Sequence, residues 1–153
     1  MTLKQTDPLA RFQRRLSLPL IAAPMFLVSG VDIVLAACRA GIVGSFPAPN
    51  ARTIDDFEAW LDRISGELKL MKQQQVPGAT DVWAMNLVVH STYQRLEAEL
   101  ALLEKYQPPI VITALGSPKH VIEVVHGYGG LVLADVNSIE FARKSAAMGV
   151  DGL

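Results

Sequence analysis

The sequence predicts an α/β fold in which short parallel strands alternate with amphipathic helices. Three observations carry that expectation. The apolar pattern switches repeatedly between short continuous runs and spacings of three and four. The runs end near residues 23, 45, 88, 114 and 136, the recurrence expected of strand–helix units. Half of the 153 residues are hydrophobic, 19% are charged and mean hydropathy is +0.28, which is ample for a buried core and excludes a disordered or polyelectrolyte chain.

Each element has a local reason. Leu18 to Ala23 is apolar on both faces, as a buried parallel strand should be, and closes on Pro24-Met25. Ile33, Val34, Ala36, Ala37 and Ala40 then fall at helical spacing, with Ser29 as a candidate cap and Gly41 where a helix end favours glycine. Ile42 to Phe46 is a second strand, followed by a Pro-Ala-Pro-Asn loop. Thr53-Ile54-Asp55-Asp56 opens a long helix, with acids where the helix dipole favours them and Phe57, Trp60, Leu61, Ile64, Leu68 and Met71 as its inner stripe. A polar turn over 73–78 leads to a third strand, Val82 to Val89, interrupted only by Asn86.

Ser91 precedes a third helix with Leu96, Leu100 and Leu103 facing in and Arg95, Glu97, Glu99 and Lys105 facing water. Pro109 to Leu115 is a fourth strand, and Gly116-Ser117-Pro118 starts a helix through Val121, Val124 and Val125 that ends at Gly129-Gly130. Leu131 to Val136 is a fifth strand, followed by a helix from Ser138 to Met148 with Ile139, Ala142 and Ala146 on its apolar face. Gly149 to Leu153 reads as the entry to a sixth strand.

Several function classes are disfavoured at this level. The net charge of −1 argues against a surface built for nucleic acid or anionic membranes. No run approaches the ~18 apolar residues of a membrane helix, and the N-terminus lacks a signal peptide's order of regions. Cys38 has no partner within the chain and reads as a small core residue, so a reducing, cytoplasmic setting is the expectation. No His, Cys or carboxylate cluster has metal-ligand spacing, and no P-loop or Gly-x-Gly-x-x-Gly follows a strand.

Two architectures hold such a repeat: an open doubly wound sheet, or part of an eight-stranded barrel. A full barrel takes about 250 residues, so this length supplies about five of eight units. The unfinished sixth strand and a helical leader over 1–17, suited to a barrel's lower rim, favour the barrel.

Ile21-Ala22-Ala23-Pro24-Met25 resembles the first strand of the nitronate monooxygenase family, also known as the 2-nitropropane dioxygenases, which are FMN-dependent TIM barrels. Ala40 to Ser45, Met85-Asn86-Leu87-Val88-Val89-His90, Ile110 to Thr113 and Gly149 to Gly152 resemble its later segments in order. The resemblance implies that residues 1–153 are the N-terminal part of a single FMN-binding barrel domain. It implies oxidation of an alkyl nitronate, with oxygen, to a carbonyl compound and nitrite. It also implies that the catalytic His loop and the phosphate-binding loops belong to the later half. This chain alone is therefore expected to hold no catalytic residue and to be inactive.

Candidate contacts follow. Ala23, Pro24 and Met25 end the first strand, where backbone and a thioether can lie against a flat ring. Asn86 places an amide in an otherwise apolar strand, with donors and an acceptor suited to a flavin edge, and the family's third-strand Asn has that role. Thr113 and Asp135 close the fourth and fifth strands as further cofactor candidates. His90 is a weaker candidate for the nitronate, and His120 and His126 read as surface or packing residues. The alternatives are a flavin-dependent enoyl-acyl-carrier-protein reductase-like enzyme, or a non-catalytic half barrel that associates with a partner or a second copy through exposed strand edges.

Overall fold

The computed structural model describes residues 8–153, so the first part of the expected leader lies outside the described residues. The elements run α1 (Pro8–Gln13), α2 (Val31–Arg39), β1 (Gly44–Pro47), a 3-10 turn (Ala48–Asn50), α3 (Ile54–Gln73), β2 (Trp83–Val88), α4 (Leu96–Tyr106), β3 (Ile110–Ala114), α5 (Lys119–Gly127), β4 (Leu131–Ala134) and α6 (Ile139–Met148).

The four strands of the described residues are parallel and lie side by side in the order β1-β2-β3-β4. That order decides between the two architectures. A doubly wound sheet reverses strand order at a switch point, whereas here every crossover moves one place in the same direction, as in a barrel. Single parallel bridges extend the sequence at both ends, Ile21 to Val43 before β1 and Leu133 to Gly152 after β4. The expected sixth strand thus begins beside β4, with Asp151 N donating to Val132 O and Ala134 N to Gly152 O.

The expected first strand is reduced to its bridge. Backbone bonds join Ala22 N to Val43 O and Val43 N to Leu20 O, and no strand forms. With β1 as its neighbour among the described residues, Leu18 and Leu20 stay more than half exposed.

Strand alternation sorts the side chains into two layers. Phe46, Trp83, Met85, Leu87, Val111 and Val132 point outward into the main core with the buried faces of α2 to α5. Val43, Val82, Ala84, Ile110 and Leu131 point inward and form a smaller cluster that Phe12 of α1 caps. The leader is tied to the N-terminal ends of the strands and to the loops feeding them. Arg11 donates to Gly129 O (2.9 Å), Ser17 Oγ to Gly78 O (3.1 Å), and Arg15 pairs with Asp81.

The helices start largely as their sequences dictate. Thr53 caps α3 reciprocally with Asp56, its Oγ1 accepting from Asp56 N at 3.0 Å while Asp56 Oδ2 accepts from Thr53 N at 3.2 Å. Ser138 caps α6 through Phe141 N. Ser29 does not cap α2. Gly30 takes that position in extended conformation, while the buried Ser29 hydroxyl turns back to the preceding loop. Glu99 is not on a solvated face, being fully buried. The apolar stripe expected on α6 is not buried either: Ile139 is 72% exposed, Ala146 is exposed and Ala142 is only half-buried. Phe141 beside them is 55% exposed, and Ser145 is the buried residue of that helix.

Asp81 sits at the lower rim between Arg15 and Lys72. Burial raises its carboxyl, but hydrogen bonds and charges from Arg15 and Lys72 outweigh burial, and the net shift is downward. A carboxylate with a depressed folded pKa stabilises the fold above its unfolded value, and that stability is lost as pH falls through the folded pKa. Urea midpoints followed from about pH 6 to about pH 2 are expected to fall more steeply in the native chain than in Asp81→Asn. Parallel slopes would remove this assignment.

Candidate active site

Barrels bind ligands at the C-terminal ends of their strands. Here that rim consists of the turn after Ala23, the loop after β1, Asn86 with the loop after β2, and the loops after β3 and β4.

The Ala23-Pro24-Met25 turn is shaped by two polar side chains. Ser29 Oγ accepts from Met25 N at 3.0 Å and donates to Ala23 O at 3.4 Å. Asn50, from the loop after β1, makes three bonds to the same turn. Its Nδ2 donates to Met25 O (3.0 Å) and Ser29 O (2.7 Å), and its Oδ1 accepts from Leu27 N (2.9 Å). These bonds hold Leu27 at a φ of 63°, a conformation that branched side chains resist, with Met25 to Val28 exposed around it. Sequence reasoning missed Asn50. Its only signal was an Asn closing a Pro-Ala-Pro-Asn loop.

Asn86 lies on the inward layer, in register between Pro47 and Ile112. Its Nδ2 donates to Ile112 O at 3.2 Å, and among the described residues nothing donates to its Oδ1. The half-buried amide therefore keeps an acceptor for a ligand. His90 lies beyond the strand end and is exposed. Thr92 N donates to His90 Nδ1 at 3.3 Å, and Thr92 Oγ1 lies 2.8 Å from the same atom. In the neutral ring the proton accordingly sits on Nε2, the nitrogen left for a ligand.

Asp135 follows β4 directly and borders a cleft of about 320 Å³ with Leu115, Gly116, Val136, Asn137, Phe141 and Ser145. Thr113 is elsewhere. It shares the outward layer with Val111, is 2% exposed, and its hydroxyl lies 3.4 Å from Leu133 O, to which it donates. The rim thus gathers Ala23, Pro24, Met25, Asn86, His90 and Asp135, while Thr113 faces the helices. His120 is exposed on α5, and His126 Nε2 lies 2.9 Å from Asp151 Oδ2. A roomier cleft of about 450 Å³, lined by Arg15, Lys72 and Asp81, opens at the opposite end. Among the described residues no three of His, Cys, Asp and Glu converge as a metal site, and no helix is long and apolar enough to cross a membrane.

The chain is similar to a Saccharomyces cerevisiae protein that carries the provisional name nitronate monooxygenase. The two are 26% identical over a 196-residue alignment that takes in 98% of this chain and 48% of the yeast protein. That likeness is to a nitronate monooxygenase relative and covers essentially the whole of this chain. Among solved structures, the fold matches a nitroalkane oxidase from Streptomyces ansochromogenes with a TM-score of 0.70 at 21% identity, over 90% of this chain and 46% of that one. It matches FabK from Thermotoga maritima with a TM-score of 0.68 at 17% identity, over 98% and 42%. These likenesses agree with the strand order in giving part of a TIM barrel. No family model matches the sequence. The chain spans about half the length of the nitronate monooxygenase relative and of the solved neighbours.

Proposed function

We propose that this chain supplies the flavin-facing N-terminal half of an FMN-dependent oxidoreductase of nitronate monooxygenase type. The observation that carries this reading is the placement of the Ala23-Pro24-Met25 turn and the half-satisfied Asn86 at the same, C-terminal ends of the parallel segments. The residues present fit the flat polar edge of a flavin: a rigid turn of small side chain, ring and thioether, an amide with a free acceptor, and the Asp135 carboxylate farther along the rim. When bound, FMN supplies the acceptor for electrons from an alkyl nitronate, and oxygen takes the fragments on to a carbonyl compound and nitrite.

This chain's own residues orient and exclude. Asn86 fixes the ring edge by hydrogen bonding, and the turn held by Asn50 supplies one rigid wall. His90, with its proton on Nε2, offers a donor to an anionic nitronate oxygen. The inward apolar layer beneath them, capped by Phe12, keeps water from the underside.

These contacts address a ring and not a phosphate, so the chain is expected to bind riboflavin as tightly as FMN in a fluorescence titration. Asn86→Leu is expected to weaken both by about five- to hundredfold, the effect of losing a hydrogen bond in a desolvated site. Markedly tighter FMN binding, or unchanged binding by Asn86→Leu, would overturn these assignments. In the whole enzyme, nitrite release and oxygen uptake with a nitronate are expected, against NADH or NADPH oxidation with an enoyl thioester for the reductase reading.

A further inference from the structure

Three successive rim segments are joined by side-chain hydrogen bonds, one backbone step from Asn50 to Ala51, and an ion pair that ends on a buried acid. Asn50 grips the Met25–Ser29 turn. The next residue, Ala51, accepts a bond from Arg95 at 2.8 Å, and the same guanidinium reaches Arg52 O at 3.3 Å and Thr53 O at 3.5 Å. Arg95 belongs to the loop after β2, so one fork ties that loop to the loop after β1. Behind Arg95 stands Glu99, whose side chain is 0% exposed. Its Oε1 lies 3.3 Å from Arg95 Nε and accepts from Tyr93 OH at 2.7 Å. Tyr93 N in turn donates to His90 O at 2.9 Å, closing the turn that carries His90.

Among the described residues Glu99 has no counterpart of this kind on the buried faces of α2, α3 and α5, whose buried residues are all apolar. Burying a carboxyl with one oxygen, Oε2, left without a partner is costly, and so is leaving Arg95 Nε without an accepted bond. An apolar side chain at this inward position of α4 would avoid both costs. Retaining a charge there makes sense if its task is to hold Arg95 and Tyr93 in place.

We propose that Glu99 is a positioning residue. Through Arg95 and Tyr93 it fixes the loops after β1 and β2 against each other. Through Asn50 it fixes the Ala23–Met25 turn as well, so the candidate flavin wall and His90 form one rigid rim. The functional part of this inference rests on the flavin reading above, whereas the mechanical coupling does not.

Amide exchange measured by NMR on the ligand-free chain tests the coupling. Leu27 N–H, bonded to Asn50, is the reporter, and the core amide of Val111 is the control. In Glu99→Ala, exchange at Leu27 is expected to accelerate about tenfold or more while Val111 changes less than about twofold. Glu99→Gln, which keeps an acceptor for Tyr93, should restore most of the protection. Arg95→Lys keeps a cation beside Glu99 but cannot bridge three carbonyls, and should repeat the loss should Glu99→Ala fail to fold. Leu27 exchange that stays unchanged, or that rises in step with Val111, overturns the proposal. If Leu27 responds while Asn86→Leu binds riboflavin normally, the coupled rim stands and the flavin reading falls.

Discussion

Replacing Phe46 with Ala is expected to remove a large part of the stability of this chain. Phe46 is fully buried in the outward layer of β1 and is the centre of an aromatic cluster. It stacks on Trp83 with ring centroids 6.4 Å apart and 12° between planes, and tilts against Phe57 at 6.1 Å and Trp60 at 5.6 Å. Its three partners come from α3 and β2, so the lost ring empties the junction between the first helical layer and the sheet. Truncating a buried Phe costs about 3–5 kcal/mol through lost transfer energy and the cavity left behind. Domains hold only about 5–15 kcal/mol in total. At about 2–4 °C per kcal/mol for a chain of this size, calorimetry should show Tm falling by roughly 6–20 °C. Phe141→Ala, on the exposed face of α6, should shift Tm by less than about 2 °C. Equal effects at the two positions would contradict the assignment of the two layers.

That contrast marks where sequence reasoning succeeded and where it failed. The long helix α3 was legible from Thr53-Ile54-Asp55-Asp56 and the stripe from Phe57 to Met71, because cap and period agree over five turns. The strands were legible as apolar runs, but the runs conceal which layer each side chain joins. Asn86 and Thr113 look alike in sequence, each a polar residue in an apolar strand. Register sets Asn86 opposite Ile112 on the inward layer and Thr113 beside Ala134 on the outward one. A shift of one residue would exchange the two layers, and a short parallel strand apolar on both faces carries no mark of which is which.

Glu99 escaped for another reason. The charges at Arg95, Glu97, Glu99 and Lys105 fit the solvated side of a helix. What buries Glu99 is the loop before α4, which folds Tyr93 over it, together with the carbonyls at 51–53 that draw Arg95 inward. Those contacts join three separate segments, and no period within one helix encodes them. On α6 the error ran the other way. Ile139, Ala142 and Ala146 have the spacing of a buried stripe, yet Ile139 and Ala146 are exposed and Ala142 is only partly covered.

The Ala40 to Ser45 segment, one of those that resemble the nitronate monooxygenases, makes the second large prediction, because its glycines have steric reasons to be glycine. Gly41 follows α2 with a φ of +79°, the left-handed turn that ends the helix and aims the chain into β1. It is also enclosed. A Cβ there would stand 2.4 Å from Gly78 O and 2.3 Å from Ser17 Oγ. The serine can rotate, but the Gly78 carbonyl is backbone and accepts the Ser17 hydroxyl that ties the leader to the lower rim. Ser17 N also donates to Gly41 O at 2.8 Å, so any shift of Gly41 pulls on that tie from both sides. Gly41→Ala thus adds the left-handed penalty of about 1–2 kcal/mol to overpacking of about 1–3 kcal/mol. Urea unfolding is expected to show a loss of about 2–5 kcal/mol with little change in slope. Gly149→Ala provides the comparison, with a φ of +96° and nothing within 4 Å of the added carbon. It should show the conformational penalty alone, so the difference between the two variants isolates the contact with Gly78. Equal losses would mean that the lower rim gives way to the added methyl, and that Gly41 is required for its backbone angle only.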